Sequence, residues 1–221
     1  NLIKKKSILN KTKIIPIDSE HFSIWTSLNE FNINDPVDLN KSIQNLFITA
    51  SGGPFKDTPI KNFKKIKVNQ AIKHPTWKMG KKISIDSATL VNKLFEVIEA
   101  QRLFNINMDK ISIKIHSQSY IHSIVQFRNG LIKICAHEPD MAIPIVNSLN
   151  KNIHYKSKIK TNFKILNSLN FTDVDKKKFP IIRILEKYPN HCSLFDTALV
   201  SINDELVNLF LNKKISFEAI S

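Results

Sequence analysis

The chain has 221 residues, 42% of them hydrophobic, and its 33 lysines and arginines against 19 acidic residues give a formal net charge of +14. This length and apolar content support one large domain, or one domain with a smaller appendage, and exclude a disordered chain. No run approaches the ~20 continuous apolar residues that a membrane-spanning helix needs, so no membrane partner is expected. Leu2 and Ile3 run into Lys4, Lys5 and Lys6 with no apolar segment behind them, unlike a secretory signal. The two cysteines, Cys135 and Cys192, are too few for a disulfide scaffold and are not spaced as metal ligands. They read as reduced packing residues of a cytoplasmic protein. The basic residues are scattered, without interleaved aromatics, so the charge reads as a solvated lysine-rich surface and no nucleic-acid partner is expected. A basic nucleic-acid-binding module is the distant alternative, and it would show a steep loss of affinity with salt.

Lys13 to Ile17 is an Ile-rich run that predicts a strand, with Pro16 suited to a sheet edge or strand end. Ser19 suits the cap of a following helix whose apolar side is Phe22, Ile24, Trp25 and Leu28. Asn29 to Asn40 reads as a loop. Leu46 to Ala50 reads as a buried strand that enters a tight turn at Ser51-Gly52-Gly53-Pro54. His74 to Gly80 is punctuated by Pro75 and Gly80 and reads as a loop. Ser87 to Phe104 is the clearest helix, with Leu90, Val91, Leu94, Ile98 and Gln101 along one side and Asn92, Lys93 and Glu96 opposite.

Ile111 to Ile115, Ile121 to Phe127 and Leu131 to Ala136 read as strands, the last two joined by a hairpin turn at Arg128-Asn129-Gly130. Pro139 to Leu149 suits a short helix, and helices resume at Ile181 to Tyr188 and Ser193 to Leu211. The fold class expected is α/β or α+β: a mixed-sheet domain over residues 1–150, then a linker and the start of a helical region over 151–221.

Several residues carry chemistry. Asp18 and Glu20 flank Ser19, and paired carboxylates suit an oxygen-bound divalent cation, although all three residues also suit a helix start. Ser51-Gly52-Gly53 follows a strand, where glycines let backbone N–H groups approach an anion; an ordinary turn is the plainer alternative. Ser87, Asn92, Lys93 and Glu96 offer a hydroxyl, an amide, an ammonium and a carboxylate, a set that suits a phosphate beside a metal and equally a solvated helix face. His74 is ambiguous, and His116 and His122 read as packing or hydrogen-bonding residues of the sheet. The glycines are Gly52, Gly53, Gly80 and Gly130, from which no Gly-x-Gly-x-x-Gly dinucleotide loop can be built.

Taken in order, these motifs resemble one family. Ile17-Asp18-Ser19-Glu20-His21 is similar to its Val-Asp-Ser-Glu-His block, and Ser51-Gly52-Gly53-Pro54-Phe55 matches its Ser-Gly-Gly-Pro-Phe loop. His74 through Thr89, continued by Asn92-Lys93, resembles its longest signature. His116-Ser117-Gln118-Ser119 and Glu138-Pro139-Asp140-Met141 resemble later blocks. The family is 1-deoxy-D-xylulose 5-phosphate reductoisomerase.

The resemblance implies a metal- and NADPH-dependent enzyme of the non-mevalonate isoprenoid pathway. It would rearrange a phosphosugar and reduce the resulting aldehyde to 2-C-methyl-D-erythritol 4-phosphate. Asp18, Glu20 and Glu96 would hold Mg²⁺ or Mn²⁺, with Co²⁺ a further candidate, and Ser19 would contact the substrate backbone. Ser51, His74, Ser87, Asn92 and Lys93 would hold the phosphate end, and Glu20 and Glu96 would border the substrate. Asp18, Glu20, Glu96, His74 and Lys93 are the catalytic candidates. Gly80 would lie near the nicotinamide cofactor, and Trp77 and Met79 would belong to a closing flap.

By the same resemblance a dinucleotide domain and an Asn-Lys-Glu-Ser block are expected before Asn1, and a helical bundle after Ser221. The chain is thus expected to be part of a cytoplasmic homodimer that does not turn over as the isolated segment. Leu94 and Phe95 stand where the family has Gly and Leu, and a bulky residue at 94 is expected to crowd the site or shift Glu96. Ser117 replaces a proline, and His137 stands where Gly is usual. Val200-Ser201-Ile202-Asn203-Asp204 keeps only part of an Asn-Ala-Ala-Asn-Glu block. A degenerate, non-catalytic remnant is the alternative these departures leave.

Overall fold

The computed structural model describes residues 2–29, 36–74, 79–149 and 163–220. Five strands form one mixed sheet: β1 (Ile43–Ala50), β2 (Ile111–Ile115), β3 (Ile121–Phe127), β4 (Ile132–Ala136) and β5 (Thr172–Asp173), in the order β4-β3-β1-β2-β5. β1 and β2 run parallel, from Leu46 opposite Ile111 to Ala50 opposite Ile115. β3 pairs antiparallel with the other edge of β1, and β4 returns beside β3 through the expected hairpin.

The helices are α1 (Leu2–Leu9), α2 (Ser19–Asn29), α3 (Pro36–Ser42), α4 (Val68–Ala71), α5 (Lys81–Ala88), α6 (Val91–Phe104), α7 (Ala142–Leu149) and α8 (Leu194–Leu211). α2 packs on β3 and β4, α6 packs on β1 and β2, and the two helices touch. Ile24 and Leu28 of α2 and Leu94 and Val97 of α6 thereby share a core with Leu46, Ile48, Ile113 and Val125. The same core continues into Leu199, Val207, Phe210 and Phe217 near the C-terminus. Phe217 is fully buried, with ring centroids 5.0 Å from Phe55 and 5.7 Å from Phe63. The opposite side of the sheet is more open: Phe47 and Ile124 are half-buried and Ile132 and Ile134 are exposed.

Four local readings change. Residues 13–17 join no strand among the described residues, because Pro16 has no N–H to give and Ile14, Ile15 and Ile17 bury too little to anchor a sheet edge. Residues 36–40, read as loop, belong to α3, with Pro36 at its first position, where a missing N–H is harmless. The helix read over 87–104 is two helices, since Leu90 takes a left-handed φ of +62° between α5 and α6. Periodicity runs through that break because both helices bury against one core. The segment read at 181–188 is a 3-10 helix, Pro180–Lys187. α8 starts as expected, with the Ser193 side chain accepting from the Phe195 N–H.

Candidate active site

A cavity of about 460 Å³ opens at the carboxyl end of β1, where α/β sheets commonly receive ligands. The start of α2 brings Asp18, Ser19 and Glu20 to its wall, and the turn after β1 brings Ser51. His74, Ser87 at the end of α5, and Asn92, Lys93 and Glu96 of α6 complete it, so nine of the ten candidate residues line one cavity. Gly80 is not on the wall, although its neighbour Met79 is, and nothing lies within 4 Å of where a Gly80 Cβ would be. Trp77 lies outside the described residues.

One end is acidic. The Phe22 N–H donates to the Asp18 carbonyl at 2.7 Å, so Asp18 caps α2 and Glu20 falls in its first turn. Glu96 comes from α6, and carboxylate oxygens of Asp18, Glu20 and Glu96 lie within 4.8 Å of one another. The Lys93 ammonium sits among them, donating to Glu20 Oε1 at 2.7 Å and Glu96 Oε2 at 2.5 Å. Asn92 Nδ2 donates to Glu96 Oε1 at 2.5 Å, and the Ser19 hydroxyl donates to Glu20 Oε2.

Burial opposes ionisation of both glutamates. For Glu20 the charge and hydrogen bond of Lys93 outweigh it and hold the carboxyl below its ordinary range. For Glu96 burial and the neighbouring Glu20 charge prevail and push the carboxyl well up. Three carboxylates from two helices whose oxygens come this close suit a hard divalent cation bound through oxygen. Behind them, His21 is buried, with Nδ1 3.1 Å from Asp18 Oδ2 and Nε2 2.9 Å from the Glu96 carbonyl. Both partners are acceptors, an arrangement that favours the protonated ring. Burial works against that charge, but the hydrogen bond and charge of Asp18, with Glu96 and Glu99, raise its pKa.

The other end is built from hydroxyls and tight backbone. Ser51 Oγ accepts from the Gly53 N–H at 3.3 Å and lies 3.3 Å from His74 Nε2. Gly53 has φ +68°, and a Cβ there would stand 3.0 Å from the Ser87 carbonyl oxygen and 3.2 Å from Ala88 Cα. The turn therefore closes directly onto the end of α5. Burial, followed by the Lys93 charge, lowers the His74 pKa.

Residues 94, 117 and 137 correct or extend the reading. Leu94 is 0% exposed and points into the core, so it does not crowd the cavity, and Glu96 remains on the wall. Ser117 accepts from Lys56 Nζ at 2.5 Å outside the cavity lining. His137 stacks on His122 at 3.9 Å between centroids. His122, read only as a sheet residue, also lines the cavity, as do Ser119 and Met141. A register shift in the β3–β4 ladder between Ile121 and Ser123 sets His122 there, and no residue spacing announces it.

Fold and site together define a mixed-sheet α/β domain whose cavity sets a carboxylate cluster against a hydroxyl- and glycine-built wall. Two family models match: "1-deoxy-D-xylulose 5-phosphate reductoisomerase C-terminal domain" over residues 14–104 and "DXP reductoisomerase C-terminal domain" over residues 137–221. The chain belongs to the 1-deoxy-D-xylulose 5-phosphate reductoisomerase family. A reductoisomerase of that name from Pelagibacter ubique is 50% identical over 222 residues, covering 100% of this chain and 55% of the relative. One from Clostridium tetani is 41% identical, covering 98% and 55%. Among solved structures, a DOX-P reductoisomerase in complex with NADPH, fosmidomycin and magnesium superposes with a TM-score of 0.91 at 35% identity, over 99% of this chain and 55% of the other. The Zymomonas mobilis enzyme in complex with NADPH gives 0.85 at 32%, over 99% and 55%. The chain thus spans about half the length of these relatives. Among the described residues, no helix is long and apolar enough to cross a membrane.

Proposed function

We propose that this chain is the metal- and substrate-binding part of a 1-deoxy-D-xylulose 5-phosphate reductoisomerase, which rearranges that phosphosugar and reduces it with NADPH to 2-C-methyl-D-erythritol 4-phosphate in the non-mevalonate isoprenoid pathway. The observation that carries the reading is the carboxylate trio facing a hydroxyl-lined wall in a single cavity. Asp18, Glu20 and Glu96 hold Mg²⁺, the cation named with solved relatives, or Mn²⁺ or Co²⁺. The cation, when bound, supplies Lewis acidity at the substrate's carbonyl and hydroxyl oxygens.

Ser19 touches the substrate backbone. Ser51, His74, Ser87 and Asn92 receive the phosphate, whose binding positions the reacting carbons from a distance. Lys93 is the chain's own counter-charge for Glu20 and Glu96, and a cation that takes over that duty leaves its ammonium for the phosphate. Residues 1–150 carry these groups, and 151–221 form a linker and supporting helical region. Gly80 approaches the nicotinamide, and Met79, on the cavity wall, belongs to the closing flap. NADPH is named with solved relatives about twice this length, and the absence of a glycine-rich dinucleotide loop from these 221 residues supports placing its main site elsewhere in the full-length product. The segment alone therefore binds a cation and phosphosugar without turning over. The complete enzyme is a cytoplasmic homodimer; the open sheet face bearing exposed Ile132 and Ile134 supports the dimer alone.

The test is an assay of the full-length gene product. NADPH consumption that requires both 1-deoxy-D-xylulose 5-phosphate and Mg²⁺ is expected. A folded full-length product that binds Mg²⁺ and NADPH yet consumes none with that substrate overturns the reading.

A further inference from the structure

We infer that the C-terminal segment sets the width of the anion-binding end of the cavity, and that Asn203 and Asp86 are the positioning pair that couples them. The inference rests on the proposed reading of that end as the phosphate site. Asp86 and Asn203 are both buried, and Asn203 Nδ2, on α8, donates to Asp86 Oδ1, on α5, at 2.9 Å. The other oxygen, Asp86 Oδ2, pairs with Lys82 Nζ at 2.7 Å, and Lys82 also reaches Asp204 of α8 at 3.1 Å. Both oxygens of a buried carboxylate are thereby satisfied, directly or through Lys82, by the C-terminal helix. Ser87, the next residue, is part of the cavity wall.

The facing wall is anchored on the same stretch of chain. Gly53 abuts the Ser87 carbonyl, and two residues on, Phe55 packs edge-on against Phe217. Phe217 is in turn held 5.8 Å from Phe210 of α8. The gap between Ser51 and Ser87 therefore has both sides tied to residues 203–217. The acidic end is tied differently: Glu20 and Glu96 take their bonds from Ser19, Asn92 and Lys93, and Asp18 takes its bond from His21. Loosening α8 should open the anion end while leaving the cation end as it was.

Fosmidomycin at saturating Mg²⁺ probes the whole cavity, and Mn²⁺ alone probes the acidic end. Both are titrated against the full-length product as wild type, Asn203→Ala, the exchanged pair Asp86→Asn with Asn203→Asp, and Phe217→Leu. Asn203→Ala is expected to weaken fosmidomycin about tenfold and leave Mn²⁺ affinity within about twofold. The exchanged pair, which keeps one amide-to-carboxylate bond, restores most of the loss. Phe217→Leu repeats the split without touching Asp86, and so carries the test if Asn203→Ala does not fold. Wild-type fosmidomycin affinity in Asn203→Ala, or a parallel fall in Mn²⁺ affinity, overturns the inference while leaving the cavity's function intact. A wild type that binds Mn²⁺ but not fosmidomycin overturns the phosphate reading first, and the inference with it.

Discussion

The two ends of the cavity are held in place by different physics. At the acidic end each group is fixed by another charge or by a helix backbone: Lys93 between Glu20 and Glu96, and His21 between Asp18 and the Glu96 carbonyl. At the other end Ser51, Gly53 and Ser87 are fixed by a left-handed turn and the close approach of two main chains. The acidic end is therefore sensitive to charge and tolerant of small shifts, because Coulomb energy falls only as the inverse of distance. The end built from Ser51, Gly53 and Ser87 is sensitive to shape, because hydrogen-bond geometry is lost within a few tenths of an ångström.

The largest expected effect separates function from stability at the acidic end. Glu96→Gln keeps the shape and removes a charge that burial and Glu20 already disfavour. Mn²⁺ affinity should fall by more than the roughly 10- to 100-fold that a lost outer-shell partner costs. The metal-free protein should melt no higher than wild type and at most slightly lower, because both Glu96 oxygens accept from Asn92 and Lys93 and an amide nitrogen in place of one faces a donor. Calorimetric titration and thermal unfolding read the two effects, and a variant that binds Mn²⁺ normally would mean that Glu96 is no ligand.

Next in size is the response to acid. Burial, with the neighbouring His137, holds the His122 pKa down to about 4 against an ordinary 6.5. The unfolded chain binds this proton first, so the stability contribution is complete above pH 6.5 and is lost as pH falls towards about 4. The loss at the lower limit is about 3 kcal/mol. Denaturant unfolding across this range should show a shallower pH slope in His122→Gln than in wild type. Equal slopes would remove His122 as the titrating group.

How much of this could be read from the residues follows the same division. At the acidic end the consecutive residues Asp18, Ser19 and Glu20, and Lys93 and Glu96 within one helix turn, marked candidate chemistry locally, but a helix start and a solvated helix face fitted them as well, and only the family resemblance joined Glu96 to Asp18 and Glu20. The strands were legible from their apolar runs, β1 and β3 above all. The break at Leu90 was not, since α5 and α6 bury against one core and the pattern does not change across it. The fate of Leu94 was not either: which way a side chain points from α6 is decided by packing partners far away in sequence. For the same reason the bond from Asn203 to Asp86, 117 positions apart, has no local signature.

His21, which joins Asp18 to the Glu96 carbonyl, tests the acidic end from behind. His21→Gln leaves a side chain with one amide nitrogen, which cannot bridge Asp18 and the Glu96 carbonyl as the two ring nitrogens do. Mn²⁺ affinity should drop about 10-fold, near the lower limit for losing such a partner. Electron paramagnetic titration of free Mn²⁺ would read it, and an unchanged affinity would mean that Asp18 needs no orienting group.

The smallest expected effect lies at the other end and depends on a control. Gly53→Ala and Gly130→Ala both place a side chain on a left-handed residue, at φ +68° and +88°, and each should lose about 1–2 kcal/mol of stability through backbone strain alone. They differ in what the new methyl meets. At Gly130 nothing lies within 4 Å, whereas at Gly53 the Ser87 carbonyl oxygen stands at 3.0 Å. The turn and α5 must therefore part by a few tenths of an ångström only in the Gly53 variant. Fosmidomycin affinity at saturating Mg²⁺ should then fall about fivefold in Gly53→Ala, roughly 1 kcal/mol, and stay unchanged in Gly130→Ala. Mn²⁺ binding should be unaffected in both. Equal losses of fosmidomycin in the two variants would trace the effect to strain in the fold. A loss confined to Gly53→Ala would trace it to the distance between Ser51 and Ser87, the quantity that distinguishes this end of the cavity from the acidic one.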